Sequence, residues 1–297
     1  MRMIVIAGAP GPAAASLPLT AEERLVLMRK EQSPVTYRYA SVEELVFELK
    51  GRTRVAEAAF QLHTGGAGFA VFANSRCNER YWTRTRDGGF RLRADAAPAE
   101  AVNDIFINGR LYAFECATAI VIIFYKAVLE MVGVRIFNRR FAGLFVRDWQ
   151  HDRDLRLKTF RGLREAYLGD VLYFRNPDVN PAESEWQGEN AVVLGDDRYF
   201  GHGIGFSSAE TIIRALNNHR KPGAARSAYL TDEVLSIDYI HLYRMMKEDG
   251  GSLRPARGFM RPIFAAVGGR QYMALVRWAP HGGSVAAAQS GEPTVSG

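Results

Sequence analysis

The stretch "YAFECATAIVIIFYKAVLEMV" (112–132) decides the fold, because from Cys116 to Val132 it is apolar nearly all the way round. A helix with no polar face has nothing to offer water, so the pattern predicts a buried helix over about 116–132 with other elements packed around it. Upstream the spacing is helical from Glu22 to Glu31. "PVTYRYASVEELVFELKGRTRVAEAAFQLH" (34–63) then reads as an extended entry into a long helix, with Ser41 as N-cap and Glu44 three residues on, a capping box. After Gly65, Gly66 and Gly68, "FAVFA" is a short strand. "RYWTRTRDGGFRLRA" (80–94) alternates on both sides of Asp87-Gly88-Gly89, a hairpin signature. A second helix covers about 98–108. Downstream of the buried helix, "FAGLFVRDW" (141–149), "GDVLYFRNP" (169–177) and "ENAVVLGDDRYFGHGIGF" (189–206) are strand-like, and helices are expected at 208–219 and about 231–247. Helices first, strands later and a buried helix between them predict an α+β fold with a central sheet.

The 297 residues carry 38 Lys and Arg against 32 Asp and Glu, a formal charge of +6. That excess is spread along the chain, with no clustered basic stripe or motif, so a nucleic-acid partner is not expected. The longest apolar run, 116–125, stops at Lys126, well short of a membrane span. Two cysteines, Cys77 and Cys116, are too few for a disulfide scaffold and fit a reducing compartment. The N-terminal apolar stretch is broken by Gly8, Pro10, Gly11 and Pro12, unlike a secretory signal, which predicts cytosolic synthesis. Three regions follow from composition: a loose Gly-, Pro- and Ala-rich lead-in (1–20), a single domain (21–247), and a C-terminal extension (248–297), with a strand or two around 259–278 and a disordered end.

Cys116 stands where the chain turns into the buried helix. The unpaired N–H groups and positive dipole end of a helix's first turn favour a thiolate, the setting of a nucleophilic cysteine. The same position also suits a small buried hydrophobe. Glu115 cuts both ways, since an adjacent carboxylate opposes the thiolate yet can take its proton. In "ENAVVLGDDRYFGHG", a two-residue turn at Gly195-Asp196 would set Leu194 against Asp197 and, counting outward, Glu189 directly opposite His202. A glutamate there can orient and charge-stabilise an imidazole, and a slip of one residue would undo the pairing. Phe69, Trp149 and Trp186 border strand ends near Gly, Asp or Glu and are candidates to wall a substrate channel, or else core. The remaining histidines show no metal-ligand spacing, so no metal site is expected.

At "YAFECATAIVII" (112–123) the sequence resembles the spore-coat protein-glutamine γ-glutamyltransferases of endospore-forming bacteria. The likeness continues through "PVTYRYASVEELVFELKGR" (34–52), "GDVLYFRNP" (169–177), "WQGEN" (186–190), "YFGHGIG" (199–205) and "RKPGAARSAYL" (220–230), in the same order along the chain from about 25 to about 247. The resemblance implies that Cys116 is the nucleophile, that His202, Glu189 and Glu115 complete the catalytic set, and that Phe69, Trp149 and Trp186 line a tunnel. It implies an NlpC/P60-like (papain-like) core and a cofactor-free, calcium-independent enzyme. Its substrates would be glutamine and lysine side chains of spore-coat proteins, and it would act in the mother-cell cytoplasm and then in the coat. The lead-in and the C-terminal extension depart from the family pattern. A cysteine hydrolase sharing the same machinery, such as a glutamine deamidase or an NlpC/P60-type peptidase, is the alternative enzyme. A structural coat protein with a vestigial site is the alternative outside enzymes.

Overall fold

The computed structural model describes residues 4–7, 9–10, 16–253, 260–267 and 270–277. Contacts divide the chain into two compact units, Met1–Arg254 and Pro255–Gly297. The first begins with β1 (Ile4–Ile6), β2 (Ala9–Pro10), α1 (Ala21–Gln32), β3 (Tyr37–Tyr39), α2 (Val42–Gly65) and β4 (Gly68–Phe69). It continues with β5 (Trp82–Arg84), β6 (Phe90–Leu92), α3 (Pro98–Ile107), β7 (Ala113–Phe114), α4 (Cys116–Val132), α5 (Val134–Arg140) and β8 (Phe145–Val146). It closes with β9 (Leu157–Arg161), β10 (Val171–Arg175), β11 (Gly188–Gly195), β12 (Arg198–Gly201), β13 (Gly205–Ser207), α6 (Ala209–Asn217), β14 (Tyr229–Ile237) and α7 (Tyr239–Glu248). The expected mixture of helix and sheet is therefore present. In the second unit β15 (Met260–Val267) and β16 (Arg270–Arg277) form an antiparallel pair, the strands foreseen there. The disorder expected for the final residues lies outside the described ones.

The main sheet has six strands in the order β13-β12-β11-β10-β14-β9, each neighbouring pair antiparallel. Helix α4 is the buried element foreseen: every residue from Ala117 to Leu129 is buried. It shares one apolar cluster with Phe47, Val55 and Leu62 of α2 and with Val171, Val192 and Phe200 of the sheet. Burial of so many aliphatic side chains, each contributing about 1.5–3 kcal/mol, makes α4 the packing centre. Ser41 caps α2 as expected, its Oγ accepting from Glu44 N at 3.1 Å, while Glu44 reaches back to Ala40 N at 2.6 Å.

Four sequence expectations need correction. The stretch expected to be helical from 231 starts as β14, and the helix begins only at Tyr239. A register irregularity opposite Leu172–Phe174 leaves Asp232 and Glu233 exposed and hides the alternation that would have marked a strand. Strand β9 falls where the sequence pattern names no element. The lead-in is not loose throughout: β1 pairs in parallel with β3, and Ile4 is 2% exposed in a cluster with Val26, Leu27 and Leu45. Residues just past 247 belong to the first unit as well, since Asp249 accepts from Arg140 Nε at 2.7 Å and Gly251 sits against Ile136 and Met246.

Beneath the sheet's start lies a buried charge network. Lys30 Nζ of α1 and Arg52 Nε of α2 each lie 2.8 Å from Glu48 Oε1, and Arg52 reaches Asp170 Oδ1 at 2.8 Å. Tyr39 donates to Glu48 Oε2 at 2.7 Å, and Tyr167 N to Asp170 Oδ2 at 2.8 Å. Burial works against the Glu48 carboxylate, but Lys30 and Arg52 outweigh it and hold the group below its usual range. The network fixes the residue just ahead of β10 against α2, helped by Gly169, whose φ of +82° brings its Cα against the Arg52 backbone. Removing one member of a buried ion set strands the others. Arg52→Met is expected to lower unfolding free energy by about 3 kcal/mol in urea denaturation. A loss of less than about 1 kcal/mol would mean that the network contributes little.

Candidate functional site

Strand β7 pairs in parallel with β4, setting Phe114 beside Phe69, and the chain then turns at Glu115 into α4. Glu115 is the N-cap. Its Oε2 accepts from Ala117 N at 2.7 Å, and its Oε1 accepts from Thr118 N and from Thr118 Oγ1, both at 2.6 Å. The helix's free donors are thus spent on a carboxylate, not on the thiol beside it. Burial first, then the Glu189 and Glu115 carboxylates, push the Cys116 thiol well above its ordinary range, and a hydrogen bond from Asn190 Nδ2 to Sγ at 3.5 Å only partly opposes this. The expectation that the helix N-terminus would favour a resting thiolate is therefore overturned. The resting group is a thiol flanked by carboxyl groups.

The hairpin that brings up the other residues has a register one step from that counted in the sequence. Asp196 and Asp197 both have positive φ, 45° and 54°, and form the turn between Gly195 and Arg198. An irregularity between Val193 and Gly195 then sets Val193 against Tyr199 and Ala191 against Gly201. Continued one step, that register puts Asn190, not Glu189, opposite His202. The difference arises because aspartates tolerate the left-handed region well enough to take both turn positions.

Glu189 instead folds over Gly201, where a Cβ would come within 2.7 Å of its Oε1. Glu189 is 4% exposed, and its Oε1 has no hydrogen-bond partner. Burial, then the Glu115 carboxylate, push Glu189 well above the usual carboxylate range, against the pull of the His202 backbone N–H. That direction favours its protonated form. The His202 ring stacks on Phe114, with centroids 5.0 Å apart and planes at 24°, and its Nε2 donates to the Gly68 carbonyl at 3.0 Å. Burial pulls its pKa down to about 4 despite the Gly68 and Phe114 carbonyls, so the ring is neutral at neutral pH.

Cys116 opens into a cavity of about 760 Å³. Of the three aromatic residues expected to wall it, Phe69 and Trp149 do so. Trp186 does not: its indole lies flat on His219, ring centroids 3.9 Å apart. Phe72 and Tyr173 supply the further aromatic lining. Tyr173 pairs directly with Asn190 across β10 and β11, so reading "VLYFR" against "GEN" as neighbouring strands would have found both. Among the described residues no group of three or more His, Cys, Asp or Glu is arranged to hold a metal ion.

Comparison with known proteins bears on this site. Residues 3–246 match the family described as protein-glutamine gamma-glutamyltransferase. The protein of that name from Bacillus pumilus (strain SAFR-032) is 43% identical over 245 residues, covering 82% of this chain and 99% of its own. That from Bacillus mycoides (strain KBAB4) is 45% identical over 221 residues, covering 74% and 80%. A transglutaminase from Geobacillus stearothermophilus, solved without its C-terminal extension, superposes with a TM-score of 0.66 at 49% identity, over 69% of this chain and 98% of that one.

The thiol's raised pKa has a direct readout. In a Cys77→Ser background, alkylation of Cys116 is expected to be slower at neutral pH than that of a free thiol. The rate should still climb above pH 9.0, the ordinary thiol value. A plateau near neutral pH would show a stabilised thiolate and contradict the electrostatics described above.

Proposed function

We propose that this chain, which belongs to the protein-glutamine γ-glutamyltransferase family, uses Cys116 as the nucleophile of that reaction. The observation that carries the reading is that Cys116, alone of the two thiols, lines the cavity while lying beside two carboxyl groups. Cys77 is outside it, its Sγ donating to the Trp82 carbonyl at 3.9 Å, and burial pushes its pKa up to about 11.

The thiol adds to the γ-carboxamide of a glutamine side chain as its proton passes to a carboxylate. A proton then goes to the departing nitrogen, and ammonia leaves a γ-glutamyl thioester. A lysine ε-amine attacks the thioester, loses its proton to the same carboxylate, and expels the thiol, so the site returns to its starting state with an isopeptide bond made. Glu189 suits the acid step, because burial favours its protonated form, and once ionised it suits the base step. Glu115 is the second carboxylate within the same electrostatic reach. We assign His202 a positioning role: its backbone N–H steadies Glu189, and its ring pins the Gly68 carbonyl, so that Phe69 stays on the cavity wall. Asn190 steadies sulfur as charge develops there. Aromatic walls that admit two slim side chains and exclude water favour transfer over hydrolysis.

A cysteine at the head of a helix packed against an antiparallel sheet supports the reading of the core as NlpC/P60-like. The names of the relatives support protein-bound glutamine as the acyl donor, and lysine as the acceptor is the extension proposed from the sequence motifs. Spore-coat proteins as the targets, with action in the mother cell and then in the coat, are the extension of that reading proposed from the sequence motifs.

Cys116→Ala is expected to abolish isopeptide formation in a gel cross-linking assay, whereas Cys77→Ala keeps most of it. The reverse result would move the site. Glu189→Gln should lower kcat by about 100-fold or more, as expected for loss of an acid–base group. Gly201→Ala, whose added methyl would meet Glu189 Oε1, should lower kcat in the same direction. If Gly201→Ala keeps full kcat, the placement of the Glu189 carboxyl is not what limits the reaction.

A further inference from the structure

The protein as a whole is cationic, with 38 Lys and Arg against 32 Asp and Glu. The Cys116 cavity is the reverse. Among the described residues its charged lining consists of Glu115, Asp148, Glu185 and Glu233, with no Lys or Arg and a single histidine, His151. Glu115 is committed to capping α4. Glu185 and Glu233 are exposed at the opening, and among the described residues neither is in an ion pair. Arg161, which pairs with Glu233 across β9 and β14, turns its guanidinium to Asp232 at 4.0 Å. Arg175, a basic residue that acts on Tyr173, lines a separate hollow with Arg226. The two glutamates are therefore available to a cation from solution.

Both share the cavity with the sulfur, and Glu233 is linked to it through Tyr173. Tyr173 lines the same cavity, pairs with Asn190, and feels both the Cys116 sulfur and the Glu233 carboxylate. Glu233, Tyr173 and Cys116 thus share one cavity wall. Of the two substrates only the amine is charged: the glutamine carboxamide is neutral and gains nothing from the rim. A lysine ammonium gains from two carboxylates at the opening and from an aromatic face behind them. In a chain of net positive charge, this local reversal of sign favours the approach of a cation.

We propose that Glu185 and Glu233 form the acceptor-recognition rim of the Cys116 cavity, selecting a cationic primary amine as the nucleophile that resolves the thioester. The proposal rests on Cys116 being the nucleophile, and its test separates the two. Hydroxylamine, uncharged at neutral pH, resolves the same thioester to a hydroxamate, so it reports turnover without ammonium recognition. In the double variant Glu185→Gln/Glu233→Gln, the ratio of kcat/KM for N-acetyl-lysine to that for hydroxylamine should fall about three- to tenfold, the size of one or two solvent-screened ion pairs. In the unsubstituted enzyme, added salt should lower the same ratio, and in the double variant it should not. A ratio unchanged by the substitutions, or an equal loss with both acceptors, overturns the rim. Loss of the underlying reading looks different: alkylation of Cys116 in the unsubstituted enzyme would then leave turnover of both acceptors intact.

Discussion

The carboxylate of Glu115, folded back onto the first turn of α4, is the interaction on which the site depends. It fixes the backbone on either side of Cys116, and Thr118, which it binds, passes the constraint on. Thr118 Oγ1 donates to Glu115 and accepts from Asp148 N at 2.7 Å. Asp148 has a positive φ of 52°, a conformation that needs holding in place, and the next residue is Trp149 on the cavity wall. One cap therefore orients the sulfur, the loop after β8 and an aromatic wall. Because α4 is buried along almost its whole length, the cap cannot shift without disturbing the apolar cluster it shares with α2 and the sheet.

The same cap sets the electrostatics. A carboxylate at the helix head, a thiol next to it and a second carboxyl group nearby cannot all be ionised in a space that burial keeps dry. With Glu115 bound to the helix donors, repulsion and desolvation fall on Cys116 and Glu189, and both are pushed toward their neutral forms. The enzyme thus stores no reactive thiolate. On the proposed reading both groups favour their neutral forms at rest, and negative charge would appear on sulfur when a proton has somewhere to go. A buried neutral His202 fits this arrangement, since an imidazolium there would hold charge on both acids at rest.

How far this was legible in the sequence follows the range of each force. The buried helix, the β5–β6 hairpin and the cap of α2 depend on near neighbours, and their residues announce them. Strand β14 was read as helix because its irregular stretch puts two acids side by side on the surface, an effect of its partners rather than of its own pattern. The β11–β12 register turned on which two residues form the turn, Gly195-Asp196 or Asp196-Asp197, a choice that moves every downstream partner by one. Trp186 shows the limit for the site. Its motif places it three residues before Glu189, but its indole finds a flat partner in His219, and tertiary packing rather than sequence distance decides which aromatic residue faces the cavity. Tyr173 took the wall position for the same reason, being paired across the sheet with Asn190.

Two sets of buried charge in this domain have opposite logic. In the Lys30–Glu48–Arg52–Asp170 network every carboxylate oxygen has a partner: Glu48 meets two cations and a phenol, and Asp170 meets a guanidinium and a backbone N–H. That is burial resolved in favour of stability. Glu189 is as deeply buried, yet its Oε1 has no partner, and the residue over which it folds is a glycine that leaves no room for even a methyl group. Leaving such an atom unsatisfied costs about 1–3 kcal/mol, which a leucine of similar size would not incur. A fold able to satisfy four charges a few residues from the start of β10 is able to satisfy one more. The unpaired oxygen is accounted for if its partner arrives with the reaction, as the proton of the thiol, of the departing ammonia or of the entering amine. By that argument the instability at Glu189 and the reactivity of Cys116 are one property, seen in the absence and in the presence of substrate.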